Sequence, residues 1–154
     1  MQILSPVFEN NTMLPALYTC DGKGINPPLA FSGITTDTKS LALVVEDPDA
    51  PSKTFIHWIV YNMLPNTAEI TEGTWPENAV LGITSLNKPG YVAACPPSGV
   101  HRYIFTLYAL DIMLPTEDVY TKNTLAFAMQ GHILATSQLI GLYQRPTPSK
   151  NASN

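Results

Sequence analysis

Leu41–Val45 is an unbroken apolar run rich in branched side chains, the pattern of a short strand covered on both faces. It runs into Glu46-Asp47-Pro48-Asp49-Ala50-Pro51, where each proline removes a backbone donor and turns the residue before it away from helix. Thr54–Asn62 resumes a β-branched and aromatic run. Side chains alternate on a strand, so Phe55, His57, Ile59 and Tyr61 are expected on one face, with Ile56, Trp58 and Val60 on the other. Val100–Asp111 reads as the longest strand. It sends His101, Tyr103, Phe105 and Leu107 one way and Arg102, Ile104, Thr106 and Tyr108 the other. Gln2–Leu4, Leu14–Tyr18, Leu29–Ser32 and Leu139–Gln144 are shorter candidate strands. The spacing of Leu125, Met129, Ile133 and Thr136 predicts a helix beginning at Asn123, with Gly131 its weak point. Two loops stand out: Thr67–Lys88, which reads as irregular throughout, and Lys88–Gly99, which holds Pro96-Pro97.

Composition sharpens this to a strand-and-turn protein. Fourteen prolines in 154 residues are about twice the usual share of roughly 5%, and 13% charged residues fall well below the roughly 25% of an average domain. The expected organisation is one domain over 1–145 and a polar tail over 146–154. A net charge of −4 offers no electrostatic footprint for nucleic acid. The opening MQILSPVFENN lacks the basic and apolar regions of a secretory signal, and the uncharged stretch Asn123–Gln144 is too polar to span a membrane. A cytoplasmic location is therefore expected. In that compartment Cys20 and Cys95 are expected to be two buried or half-buried thiols. A single disulfide is the alternative, to be decided by geometry.

The chemistry-bearing residues cluster at predicted strand ends. If Asp47, His57 and His101 share one mouth of a sandwich, the imidazoles, the Tyr103 hydroxyl and the amides near Gly99 would suit a small phosphate-like or carboxylate-like oxyanion. Asp47, with Asp49 beside it, would then orient an imidazole by bonding one of its nitrogens. Each residue also has a plainer reading: His57 as a packed core histidine, the aspartates as turn formers, Tyr103 as core with its hydroxyl at the rim. No short ligand spacing points to a metal, and no cofactor is expected. Ser98 and Cys95 lie near His101 without a nucleophile elbow or cysteine-protease signature, so no enzymatic activity is expected.

DPDAPS at Asp47–Ser52, HWIVYNM at His57–Met63 and PPSGVHRY at Pro96–Tyr103 carry a resemblance to the phosphatidylethanolamine-binding protein family, which includes the Raf kinase inhibitor proteins. CDG at Cys20–Gly22, NPPL at Asn26–Leu29 and GHIL at Gly131–Leu134 extend it over nearly the whole chain, and the chain is most similar to the short bacterial and archaeal branch. The resemblance implies a mostly β fold, a sandwich of a large and a small sheet with short helices near the C-terminus. It also implies a ligand pocket formed by Asp47, Asp49, His57, His101 and Tyr103, rimmed by Pro51, Cys95, Pro96 and Pro97. The implied function is that of a non-enzymatic binding protein for a small anionic group, modulating or inhibiting a protease or kinase partner. A homodimer is also implied. A protease inhibitor acting through surface loops and a weak phosphoester or lipid hydrolase are the alternatives. Two departures matter: Ile56 precedes His57 where some relatives have a second histidine, and Ala93-Ala94-Cys95 replaces a glycine-rich loop, implying a tighter and more apolar rim. Nothing matches the C-terminal extension of animal members, so kinase regulation of their kind is not expected.

Overall fold

The computed structural model describes residues 1–147. Nine strands form two sheets: β1 Gln2–Leu4, β2 Thr12–Met13, β3 Leu29–Ser32, β4 Ser40–Asp47, β5 Phe55–Met63, β6 Glu69–Ile70, β7 Val80–Leu81, β8 His101–Leu110 and β9 Ile133–Tyr143. The large sheet has the order β2-β9-β8-β4-β5-β7 and the small sheet the order β1-β3-β6. All pairings are antiparallel except β2 with β9. The mostly β fold with a large and a small sheet is as the sequence led us to expect.

The centre of the large sheet is buried on both faces, which is why β4 reads as an unbroken apolar run. One face packs Leu41, Leu43, Val45, Trp58, Phe105 and Leu107 against Ile3, Leu29, Phe31 and Ile70 of the small sheet. The other packs Ala42, Val44, Ile59 and Tyr61 under Leu125 and Met129 of α1, Lys122–Met129, together with Leu114. The helix starts on a reciprocal cap in which Thr121 Oγ1 accepts from Thr124 N–H and Thr124 Oγ1 accepts from Thr121 N–H. Lys122, in its first turn, pairs with Glu46 of β4.

Three elements differ from the sequence reading. Leu14–Tyr18 is not a strand: β2 stops at Met13, and a 3₁₀ turn follows at Ala16–Tyr18, entered from Pro15 at φ −60°. The irregular stretch Thr67–Lys88 contains the short strands β6 and β7, too brief to leave a periodic signature. The C-terminal helix ends at Met129 instead of running through Thr136. Gly131 takes φ +80°, and Ile133–Tyr143 becomes a strand. The ladder between β8 and β9 runs from His101↔Tyr143 to Leu110↔Ile133, and that long pairing outweighs a helical spacing carried by four side chains. Apart from Pro146 and Thr147, the polar tail over 146–154 lies outside the described residues.

Gly141 shows how tightly the N-terminal segment sits on β9. A Cβ there would lie 2.5 Å from Leu14 Cδ2 and 3.2 Å from Phe8 Cε2. No helix among the described residues is long and apolar enough to cross a membrane.

Candidate functional site

Asp47 is the last residue of β4, and its Oδ1 accepts the backbone N–H of Asp49 at 2.8 Å, closing the turn toward Pro51. Its Oδ2 lies 2.7 Å from Nδ1 of His101, the first residue of β8, with both side chains buried. The β4–β8 register runs antiparallel from Ser40↔Leu110 to Glu46↔Ile104, so the end of one strand meets the start of the other.

His57 arrives by a break in alternation. Val45 pairs with Trp58 and Glu46 with Ile56, leaving His57 as the extra residue of a β-bulge. The expected grouping of His57 with Ile59 and Tyr61 is therefore corrected: those two lie under α1, with Ile56 packed against their cluster. His57 instead sets its ring 5.2 Å from that of Tyr103, nearly edge-on at 79°, and 4.7 Å from that of Phe55. A bulge adds one residue and re-aims a side chain, so a strict period of two could not place this histidine.

The loop between β7 and β8 is docked on that bulge. His57 Nδ1 lies 2.7 Å from the Val92 carbonyl, and Val92 N–H donates to the His57 carbonyl at 2.8 Å. A second tie joins the loop to the N-terminal region. Cys20 and Cys95 form a disulfide with Cα atoms 5.4 Å apart, the Cys20 amide donates to the Ala94 carbonyl, and Tyr91 Oη donates to the Tyr18 carbonyl. This corrects the expectation of two buried or half-buried thiols: both cysteines are exposed and bonded to each other. Only the fold brings together residues 75 positions apart. Gly22 lets the Cys20 loop pass the 3₁₀ turn, since a Cβ there would sit 2.3 Å from the Ala16 carbonyl oxygen.

These elements enclose a cavity of about 190 Å³ lined by Asp47, Ala50, Pro51, Phe55, His57, Val92, Ala93, Cys95, Pro96, Pro97, His101 and Tyr103. Of the nine residues singled out from the sequence, eight line it. Asp49 does not. It takes Arg102 Nε and NH2 at 2.9 Å each and the Arg102 backbone N–H at 2.9 Å. These hydrogen bonds hold its carboxyl down at about 2, and they brace the turn that carries Asp47. Phe55, Ala50, Val92 and Ala93 were not singled out. For Phe55 a signal existed, since it sits two residues before His57; Val92 contributes a backbone carbonyl, which no side-chain pattern reveals.

Burial dominates the electrostatics. It pushes the His57 imidazole below its ordinary pKa against the opposing pull of the Val92 carbonyl and Asp47. Burial, then the charge of Asp47, raises the Tyr103 phenol far above its ordinary value, so it remains an O–H group. That hydroxyl is buried and has no hydrogen-bond partner among the described residues. The arrangement is a small, largely apolar recess with a phenol and two imidazole nitrogens left to meet a guest. Among the described residues no three His, Cys, Asp or Glu side chains group as metal ligands.

Known proteins share this architecture. The chain is 47% identical over 150 residues to a "UPF0098 protein" of Chlamydia muridarum, covering 94% of this chain and 99% of that one. It is 43% identical to a "UPF0098 protein" of Methanothermobacter thermautotrophicus, with the same coverage. A crystal structure of a phosphatidylethanolamine-binding protein homologue from Chlamydia trachomatis superposes with a TM-score of 0.91 at 43% identity, covering 94% of this chain and 97% of that chain. A second, an E. coli protein described as a member of the mammalian PEBP family, gives 0.86 at 26% identity, covering 94% and 98%. The family model described as phosphatidylethanolamine-binding protein matches residues 4–144, and this chain belongs to that family.

Proposed function

We propose that the protein is a non-enzymatic binding protein whose cavity receives a small phosphate- or carboxylate-bearing group, and that it acts as a modulator or inhibitor of a partner protein. The observation that carries this reading is the Tyr103 hydroxyl, a buried donor without a partner in the wall of a 190 Å³ recess shared with His57 and His101. A buried polar group left unpaired is costly, and a guest oxygen there would relieve that cost. The recess holds one small group, so the remainder of any larger ligand lies outside on the proline rim. Titration of inorganic phosphate and of acetate against the wild type and His101→Ala tests the reading: saturable binding weakened in the variant is expected, and equal affinity for both proteins would overturn it.

A homodimer belongs to the same proposal. The outer edge of β9 from Ile133 to Gln138 has no strand partner among the described residues, and it carries no charged residue and no proline to discourage pairing. A cytoplasmic location is likewise proposed, and it has to accommodate an exposed disulfide, a bond uncommon in reducing compartments. Sedimentation of the purified chain reads the first, and the redox state of Cys20 and Cys95 in rapidly quenched cells reads the second.

A further inference from the structure

The loop that closes the recess is held unevenly along its length. Before Cys95 it is tied repeatedly: Tyr91 Oη donates to the Tyr18 carbonyl at 3.0 Å, Val92 is bonded to His57 through both its N–H and its carbonyl, and the Ala94 carbonyl accepts from the Cys20 amide at 3.0 Å. After Val100 the chain is fixed again, by the contact of His101 with Asp47 and by the pairing of His101 with Tyr143. Between these points, among the described residues, no backbone-to-backbone hydrogen bond reaches residues 95–100. Pro96 and Pro97 have no N–H to give. Ser98, Gly99 and Val100 are exposed. Gly99 takes φ +69°, and beyond its chain neighbours no heavy atom lies within 4 Å of where a Cβ would stand, so the backbone has room to turn there.

Cys20 stands on a firm post. Its neighbour Thr19 is buried, and Thr19 Oγ1 donates to the Ala16 carbonyl and accepts from the Asp21 N–H. Asp21 in turn accepts from the Tyr143 hydroxyl and the Arg145 guanidinium. Residues 95–100 therefore form a flap joined to this post by one covalent tether, the Cys20–Cys95 bond, and otherwise seated by the packing of buried Pro96. Cys95, Pro96 and Pro97 of the flap line the recess. Both cysteines are exposed, and exposed disulfides belong to the labile and regulatory class.

We propose that the Cys20–Cys95 bond is a site of thiol–disulfide exchange with a dithiol, and that its opening releases the flap over residues 95–100 while the rest of the loop stays docked. A thiolate of the dithiol attacks one Sγ, the S–S bond breaks, and the other cysteine leaves as a thiolate that takes a proton from water. The second thiolate of the dithiol then attacks the mixed disulfide and frees the remaining cysteine. Two electrons pass to the protein, and the dithiol departs as a disulfide. The ties at Tyr91, Val92 and Ala94 do not involve sulfur, so the wall beside His57 survives the exchange. This switch holds whatever the recess receives.

Treatment of the full chain with dithiothreitol in native buffer, followed by alkylation and mass measurement, tests the exchange. Both cysteines are expected to be alkylated without denaturant, and oxidised glutathione is expected to restore the bond. Backbone relaxation NMR of the oxidised and reduced chain tests the release: order parameters at Ser98, Gly99 and Val100 are expected to fall from about 0.85 to below about 0.6. The Val92 and Cys20 amides are expected to keep their slow hydrogen exchange. Water admitted by the open flap is expected to raise the titration midpoint of His57, which burial holds below its ordinary value. Cys20→Ser/Cys95→Ser is expected to reproduce the reduced state, and dithiol-reduced wild type carries the same test without a substitution. A bond that resists dithiol until urea is added would overturn the inference, as would a rigid flap in the reduced chain. Loss of protection at Val92 and Cys20 together with the flap would overturn it too, because the bond would then be a staple for the whole loop.

Discussion

His101 Nδ1 lies 2.7 Å from Asp47 Oδ2, with both side chains buried, and the pair joins the end of β4 to the start of β8. Removing one partner of such a pair leaves the other stranded away from water. Asp47→Ala is expected to lower unfolding free energy by about 1–3 kcal/mol, read by urea denaturation. Asp47→Asn retains the shape and is expected to lose less, while releasing the constraint on the His101 tautomer, which ring-nitrogen NMR reports.

His57 sets a pH dependence of stability. Its folded-state pKa is depressed by burial, so below its ordinary value of 6.5 the unfolded chain binds more protons than the folded one. Its contribution is fully present above that value and declines as pH falls through 6.5 toward the depressed folded value. His57→Gln is expected to flatten the stability profile between pH 7 and 5, measured as the urea midpoint at half-unit steps.

Asp49 acts in a lower window. Its folded pKa of about 2, against an ordinary 3.8, gives stability that is present above 3.8 and lost as pH falls toward 2. The pair with Arg102 is partly exposed, so Arg102→Ala is expected to cost only about 0.5–1 kcal/mol at pH 7. Nearly all of that difference is expected to vanish at pH 2, measured by thermal unfolding at both values.

The Cys20–Cys95 bond closes 75 residues of chain. Loop-closure entropy puts its worth at about 4 kcal/mol, read as the loss of unfolding free energy in Cys20→Ser/Cys95→Ser. Both cysteines are exposed, so mild reductant is expected to open the bond in the native state. Cys95 lines the recess, and the reduced protein is expected to bind phosphate more weakly than the oxidised one.

Gly22→Ala would force its Cβ against the Ala16 backbone at 2.3 Å, a contact no side-chain rotation relieves. It is expected to destabilise by about 1–3 kcal/mol. Gly141→Ala meets Leu14 Cδ2, the end of a flexible side chain, and is expected to cost less. Paired denaturation curves decide the order.

The strands at Leu29–Ser32, Leu41–Val45, Thr54–Asn62 and Val100–Asp111 were legible because burial on one or both faces writes a local pattern. So were the Asp47–Pro51 turn and the clustering of acids and imidazoles at strand ends, which follow from proline's fixed φ and from apolar runs that stop at polar residues. At Ile133–Thr136 the helical spacing of four residues points to helix where the chain is strand, because that spacing is weaker than a ladder to a strand far back in the chain. The arrangement of the recess was decided by tertiary structure alone: the bulge that re-aims His57, the Val92 carbonyl that fixes its proton, and the joining of Cys20 to Cys95. Each depends on a register or a contact between segments distant in sequence, and side-chain identity carries no record of which backbone groups will face it.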